Sequence, residues 1–269
     1  MKNFIAYFIL FSSLLCSPYS FSDSDSIILQ STSSSRDSGL LGFLIPKFTR
    51  TSNIKVKVVA SGTGQALRNA RDCNGDLLLV HSLDDELKFI SDGYGLKRYE
   101  LMTNDYILVG PLSNPANLSM SDSPKQAFTK IVTSGVKFVS RYDDSGTNKK
   151  ELSLWQRYGL DYNDFSSSWY IKSGQGMGST LNIAIGMNGY TFSDRSTWIK
   201  FQNKSKHKIL YESPKDLVNT YSLVTINYKK CPNTKFETAM RFVEWLLSEE
   251  GQISINSYRV DGQQVFHTK

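Results

Sequence analysis

The chain has 269 residues, enough for one large domain or for two lobes with separate cores. With 40% hydrophobic and 21% charged residues its composition is globular, which excludes a disordered chain. The net charge is +6, but no basic run of five and no basic helix face occurs. A nucleic-acid partner is therefore not expected, whereas a field of that sign steers small anions inward.

Lys2 forms a short positive n-region, and residues 4–16 are an apolar run too short for a comfortable membrane span. Ser20-Phe21-Ser22 places small residues at −3 and −1 of a cleavage site, so residues 1–22 read as a signal peptide and the mature protein as periplasmic. The alternative, lipid attachment at Cys16, needs a small residue where Leu15 stands. Cleavage leaves Cys73 and Cys231, and an oxidising compartment allows either a disulfide or two separate thiols. Their spacing suits no metal site and the histidines are scattered, so neither a metal nor another cofactor is expected.

Residues 27–29 read as a short strand. The run Ser31-Thr32-Ser33-Ser34-Ser35 follows, then Leu40, Leu41, Leu44, Ile45 and Phe48 at helical spacing. The hydroxyl run thus falls in the N-cap region of a helix that Pro46 should bend or interrupt. Residues 56–60 read as a second strand, ending in Ser61-Gly62-Thr63-Gly64 with a helix from Gln65. Residues 77–80 are a third, ending at His81-Ser82. Strands each followed by a polar turn and a helix predict a parallel α/β sheet. Further strands are expected at 106–110, 137–140, 190–192 and 222–227, with helices at 127–131, 152–158, from Ser179, and at 236–247. Segments 104–110 and 221–227 read as crossings between two lobes.

Between the strand at 137–140 and its helix lies Arg141-Tyr142-Asp143-Asp144-Ser145-Gly146-Thr147. A guanidinium, two hydroxyls and a glycine sit in one turn before a helix N-terminus, which adds free N–H groups and the positive end of its dipole. That set suits a small tetrahedral oxyanion. Ligands of open α/β sheets bind at the carboxyl ends of strands, and each hydroxyl- or arginine-rich segment here follows a strand. Taken singly, the segments read more plainly as a helix cap at 31–35, a tight turn at 61–64, and a turn with a cap at 143–146. Arg195 beside Asp194 reads equally as a ligand contact and as a structural ion pair. Asp143 and Asp194 read as groups that orient Arg141 and Arg195. His81 reads as a capping or cleft-wall residue. The loop Gly174-Gln175-Gly176-Met177-Gly178 lacks a P-loop lysine and reads as a lobe-to-lobe contact or hinge.

Taken in order, these runs resemble the tungstate-binding substrate-binding proteins of ABC transporters. The match extends from Ser31-Thr32-Ser33-Ser34-Ser35-Arg36-Asp37-Ser38-Gly39 through Gly62-Thr63-Gly64-Gln65, Leu78-Leu79-Val80-His81 and Asn104-Asp105-Tyr106. It continues with Ser140-Arg141, Ser145-Gly146-Thr147, the 174–178 loop and Asp194-Arg195. The resemblance implies an α/β protein of the type II periplasmic binding fold. Two α/β lobes, joined by two crossing strands, hold the ligand cleft between them. The expected division is 23–104 with 224–269 for lobe 1 and 105–223 for lobe 2. The oxyanion contacts it implies are Thr32, Ser33, Ser61, Gly62, Arg141, Ser145, Gly146 and Thr147, with Arg195 a further candidate. Family members usually carry threonine where Ser31 and Ser33 stand, and often glycine where Tyr142 and Ser196 stand.

The implied function is capture of tungstate or molybdate and delivery to an inner-membrane ABC permease, by a monomer and without catalysis. These ions are dianions that offer acceptors only, so a donor-lined site suits them. Hydrogen phosphate carries a proton and rewards a carboxylate. The Arg-x-Asp-x-Ser-Gly-Thr spacing is also similar to periplasmic phosphate-binding proteins, so a phosphate-binding transport receptor is the alternative. An exported phosphoester-acting enzyme is a third reading, weakened by the lack of a Gly-x-Ser-x-Gly elbow or a Ser–His–Asp set.

Overall fold

A computed structural model gives the structure of residues 25–268, so the segment read as a signal peptide, Cys16 included, lies outside the described residues. The first half of the chain runs β1 (Ser26–Thr32), α1 (Ser33–Asp37), α2 (Leu40–Ser52), β2 (Lys55–Ser61), α3 (Thr63–Arg71), β3 (Leu77–Val80), α4 (Leu83–Ser91), β4 (Gly95–Pro111), α5 (Pro124–Ser134) and β5 (Phe138–Ser140). It continues through α6 (Gly146–Arg157), β6 (Tyr170–Lys172), α7 (Met177–Gly186), β7 (Tyr190–Asp194), α8 (Arg195–Lys200), β8 (His207–Glu212) and β9 (Val218–Ile226). The chain closes with α9 (Phe236–Leu247), α10 (Glu249–Ser257), β10 (Arg259–Val260) and β11 (Gln263–Gln264).

Strand order is β2-β1-β3-β9-β4 in one lobe and continues β4-β7-β5-β6 in the other, where β8 also pairs with β4. In the first lobe β1 runs parallel to β2 and β3, as strand–helix–strand units require. The long β4 belongs to both sheets. Its residues 95–105 pair with β9, and residues 106–111 pair with β7 and β8. Together β4 and β9 form the crossing between the lobes, giving the type II periplasmic binding fold. The C-terminal segment adds a bridge from His267 to Thr103 on β4.

Each sheet is apolar on both faces because helices cover both. Along β3, Leu77 and Leu79 enter a core with Phe48, Leu223 and Phe242, while Leu78 and Val80 enter one with Leu67, Phe89 and Val224. In the second lobe Leu108 packs with Phe128, Phe138, Trp155 and Phe192, and its neighbours Ile107 and Val109 pack with Leu181 and Trp198 on the reverse face. The edge strand β2 instead alternates, exposing Lys55 and Lys57, charges that blunt an unpaired edge. Cys73 and Cys231 are joined, tying the turn after α3 to the turn after β9 across 158 positions of sequence within the first lobe.

Two local expectations are revised. Helix α2 runs on through Pro46, from Leu40 to Ser52. The hydroxyl run does span a strand-to-helix junction, with Ser31 and Thr32 ending β1 and Thr32 the N-cap, but the helix it opens is the short α1, joined to α2 through Gly39 at φ 86°, a left-handed conformation natural to glycine.

Candidate functional site

Three strand ends meet at the crossing. From lobe 1, β1 leads into α1. Thr32 Oγ1 accepts the Ser35 N–H at 3.2 Å and lies 3.0 and 2.7 Å from the Ser34 and Ser35 hydroxyls. Beside it β2 ends at Ser61, whose hydroxyl donates to the Gly62 carbonyl at 3.3 Å, and Gly62 is the N-cap of α3. From lobe 2, β5 leads through Arg141 to Ser145, the N-cap of α6, whose Oγ accepts the Asn148 N–H.

These ends face one another closely. A Cβ built on Gly62 would stand 3.7 Å from the Asp143 carbonyl oxygen. One on Gly146 would fall 2.6 Å from the His81 ring, so only glycine allows α6 to approach β3 this far. Around this contact the lobes are tied by Lys149 to Asp85 at 2.7 Å, by Arg68 to Asp144 at 3.8 Å, and by Lys200 to the Asp37 carbonyl at 2.8 Å. On one side lies a cavity of about 350 Å³ lined by Ser33, Ser34, Arg141, Gly176, Met177, Gly178 and Ser179. On the other, a cavity of about 380 Å³ is lined by His81, Gly146, Arg98, Lys149 and Lys150. A larger groove on α2 and α10, lined by Lys47, Arg50, Glu249 and Glu250, lies away from all the strand ends described here.

Arg141 is 4% exposed. One of its terminal nitrogens donates to Asp143 Oδ2 at 2.6 Å, while Asp143 Oδ1 accepts the Ser145 hydroxyl at 2.6 Å and its N–H at 3.3 Å. Asp143 thus aims the guanidinium and holds the cap, as the sequence reading expects. Tyr142 (φ 47°) and Asp144 (φ 58°) are both left-handed, which explains why glycine suits position 142; here Lys172 stacks on the Tyr142 ring at 4.2 Å. Among the described residues, Arg141 Nε, Thr147 Oγ1, Asn148 Nδ2 and Thr63 Oγ1 are buried without a hydrogen-bond partner. Buried donors normally find partners, and these four orphans lie on turns that face each other.

Behind the lobe 2 turn, Glu151 on α6 accepts from Ser140, Trp155 and Tyr170 at 2.8, 3.0 and 2.7 Å. Burial pushes its carboxyl up to about 7 despite these three donors. It pins α6 to β5 and so fixes the distance between Arg141 and the helix N-terminus. In lobe 1, burial pulls His81 down to about 4, so the ring is neutral at pH 7.

Of the candidates from sequence, Thr32, Ser33, Ser61, Gly62, Arg141, Ser145, Gly146 and Thr147 lie on the facing turns. Arg195 does not join them. Its guanidinium is clasped by Asp105 at 2.7 and 2.6 Å and by Glu212, in a cavity lined also by Thr103, Asn104 and His267. With both carboxylates in place it forms an ion pair at the crossing, the structural one of its two sequence readings, although with Asp105 and Glu212 rather than Asp194. Asp194 does not orient it. That carboxylate caps α8 through Thr197 N–H and the Ser196 and Thr197 hydroxyls. The hydroxyls of Thr32 and Ser145 are already used in caps. Thr63, Asn148 and Ser34 are the residues that sequence reading passed over. Thr63 and Asn148 lie in the first turns of α3 and α6, the one signal that could have found them.

A profile described as the PBP superfamily domain matches residues 20–250. The tungstate-binding protein TupA of Peptoclostridium acidaminophilum is 43% identical over 235 residues, covering 87% of this chain and 81% of its own length. Among solved structures, the tungstate-binding protein TupA from Desulfovibrio alaskensis superposes with a TM-score of 0.80 at 36% identity, covering 91% of this chain and 99% of that one. The tungstate ABC transporter structure from Geobacter sulfurreducens gives 0.79 at 37% identity, covering 87% of this chain and 98% of that one. With a two-lobed fold, facing helix N-termini and relatives of this similarity over nearly the whole length, the chain belongs to the PBP superfamily and, within it, to the family of tungstate-binding substrate-binding proteins.

Proposed function

We propose that this protein captures tungstate, with molybdate as the next ion, outside the cytoplasmic membrane and delivers it to an ABC permease. The observation that carries the reading is the set of four buried donors left unpaired where the lobes meet. Each hydrogen bond to a charged acceptor contributes about 1.5–3 kcal/mol, so several together offset dehydration of a dianion. Arg141 supplies positive charge on a planar fork of donors. Gly62, Gly146 and Thr147 offer backbone N–H groups at two helix N-termini, and Ser33 and Ser61 offer hydroxyls at the rim. Asp143 shares the turn with Arg141, and its oxygens accept from Arg141 and Ser145, which favours an ion without a proton over hydrogen phosphate.

In this reading residues 23–104 with 224–269 move against 105–223, the anion bridges them, and the closed population rises. The protein works as an exported monomer and performs no catalysis; relatives that transport rather than transform their ligand support the last point. Calorimetric titration of the mature protein with tungstate, molybdate, sulfate and phosphate tests the assignment. Tungstate is expected to bind tightest at one site per chain; tightest binding of phosphate would move the protein to the phosphate receptors.

A further inference from the structure

The cavity of about 380 Å³ between the lobes is walled by Gly146 and His81 and is lined by none of the four orphaned donors. Lobe 2 lines it with one face of α6, where Lys150, Ser153 and Arg157 stand at positions i, i+3 and i+7 beside Lys149. Lobe 1 lines it with Asp84 in the first turn of α4 and Arg98 on β4, and Thr220 lines it from the crossing strand β9.

The cations of this cavity are of two kinds. Arg98 donates to Glu86 at 2.7 Å and to Glu100 at 2.8 Å, and Lys149 donates to Asp85 at 2.7 Å. Among the described residues, the side chains of Lys150 and Arg157 have no hydrogen-bond or ion-pair partner. Lys150 is half-buried, and burial together with the Arg157 charge holds its ammonium below its usual value. A half-buried ammonium beside a second cation is destabilised until an anion joins them. The carboxylates that line the cavity do not supply that anion. Glu100 accepts from Arg98, and Asp84 makes no ion pair with either cation and sits where the dipole of α4 favours its charge.

The spacing selects the kind of anion. Seven residues of helix separate the two cations by about 10 Å along α6. A compact tetrahedral ion meets both only if both long side chains fold inward. An organic dianion with a charge at each end meets both in extended form, and the cavity is of the size that takes small organic molecules rather than single ions.

We propose that this cavity is a second anion site, which takes a small organic dianion of the dicarboxylate type between Lys150 and Arg157. It is separate from the oxyanion site and does not rest on the tungstate reading. Gly146 packs against the His81 ring between the two, where a Cβ would stand 2.6 Å from the ring, so both sites can be filled in one closed molecule.

Sodium succinate, titrated into the mature protein at constant ionic strength and followed by backbone amide chemical shifts, tests the proposal. Saturable shifts are expected at Asp84, Lys150, Ser153, Arg157 and Thr220, with a dissociation constant of about 1 mM or tighter. Lys150→Gln and Arg157→Gln are each expected to weaken succinate about 10-fold or more, the loss of one hydrogen bond to a charged acceptor. Arg141→Ala is expected to leave succinate binding unchanged, and tungstate added first is expected not to compete. Sodium sulfate, with the same charge on a compact frame, is expected to bind these residues about 10-fold more weakly or less well still. Equal or tighter sulfate binding there would overturn the choice of an extended dianion. No saturable shift at these residues would overturn the second site, whatever ion the facing turns hold. So would succinate binding that survives replacement of both Lys150 and Arg157 by Gln, or that tungstate displaces.

Discussion

The two faces of the cleft solve different problems. Lobe 2 brings the charge. Arg141 is buried, aimed by Asp143, and backed by Glu151, which accepts three hydrogen bonds and locks α6 against β5. Lobe 1 brings neutral groups, the hydroxyls of Thr32, Ser34 and Ser35 bonded to one another and to His81. A fixed guanidinium attracts any anion of the right size, whereas hydroxyls donate or accept as the ion requires and add no net charge. We infer from the comparison that affinity comes mainly from lobe 2, while lobe 1 completes the shell of donors.

The sharpest way to break that division is Arg141→Ala. Losing two charge-assisted hydrogen bonds amounts to about 3–6 kcal/mol, so tungstate affinity should fall about 10²–10⁴-fold in calorimetry. Arg141→Lys should recover only part, because the planar fork is lost. Arg195→Ala should instead leave Asp105 and Glu212 without their cation, lowering thermal stability while weakening tungstate binding far less than Arg141→Ala. An affinity loss at Arg195 equal to that at Arg141 would break the comparison.

Removing the disulfide tests lobe 1 alone. Replacing Cys73 and Cys231 together with serine should cost about 2–5 kcal/mol of stability in urea unfolding. The tungstate affinity of the folded fraction should stay unchanged, since the bond lies away from the facing turns.

The buried titratable groups should give the two lobes opposite pH slopes. Glu151 is raised from 4.5 to about 7 in the folded protein, so the native state holds its proton more tightly than the unfolded chain. Its contribution to stability is full below pH 4.5 and is lost as pH rises through 7, on the order of 3 kcal/mol in all. His81 is lowered from 6.5 to about 4, so its contribution is full above pH 6.5 and is lost as pH falls through 4. Urea unfolding across pH 4–8 should show Glu151→Gln gaining on the parent protein as pH rises. A pH-independent difference would remove Glu151 as the titrating anchor.

The smallest effect belongs to the ties across the cleft mouth. Lys149→Ala breaks the pair with Asp85, whose partners are partly exposed, so tungstate affinity should change by no more than about 1 kcal/mol. A larger loss would mean that closure depends on the rim rather than on the facing turns.

The local parts of this architecture were legible in sequence, and the parts set by distant contacts were not. Strand β3 is four apolar residues in a row and was read to its boundaries, 77–80. Strand β4 was read only at 106–110, because Lys97, Arg98 and Glu100 break the apolar pattern where its first half pairs with β9. Helix α4 carries Leu83, Leu87 and Ile90 at helical spacing, and the sequence reading places a helix after β3 without giving its bounds. The Arg141–Thr147 turn could be recognised because its guanidinium, carboxylate, cap and helix start lie within seven residues. Arg195 could not be resolved: its partner Asp105 is 90 residues away, while the misleading Asp194 is adjacent. Thr63 and Asn148 become notable only through their burial without a hydrogen-bond partner, a fact no local pattern carries.

A crystal structure of the tungstate complex, with the tungsten located by its anomalous signal, tests the central claim most directly. One peak is expected between the first turns of α3 and α6, with its oxygens within hydrogen-bond distance of Arg141 Nε, Thr147 Oγ1 and Thr63 Oγ1. A peak instead beside Arg195, or one touching only a single lobe, would contradict an anion site built from buried donors of both halves.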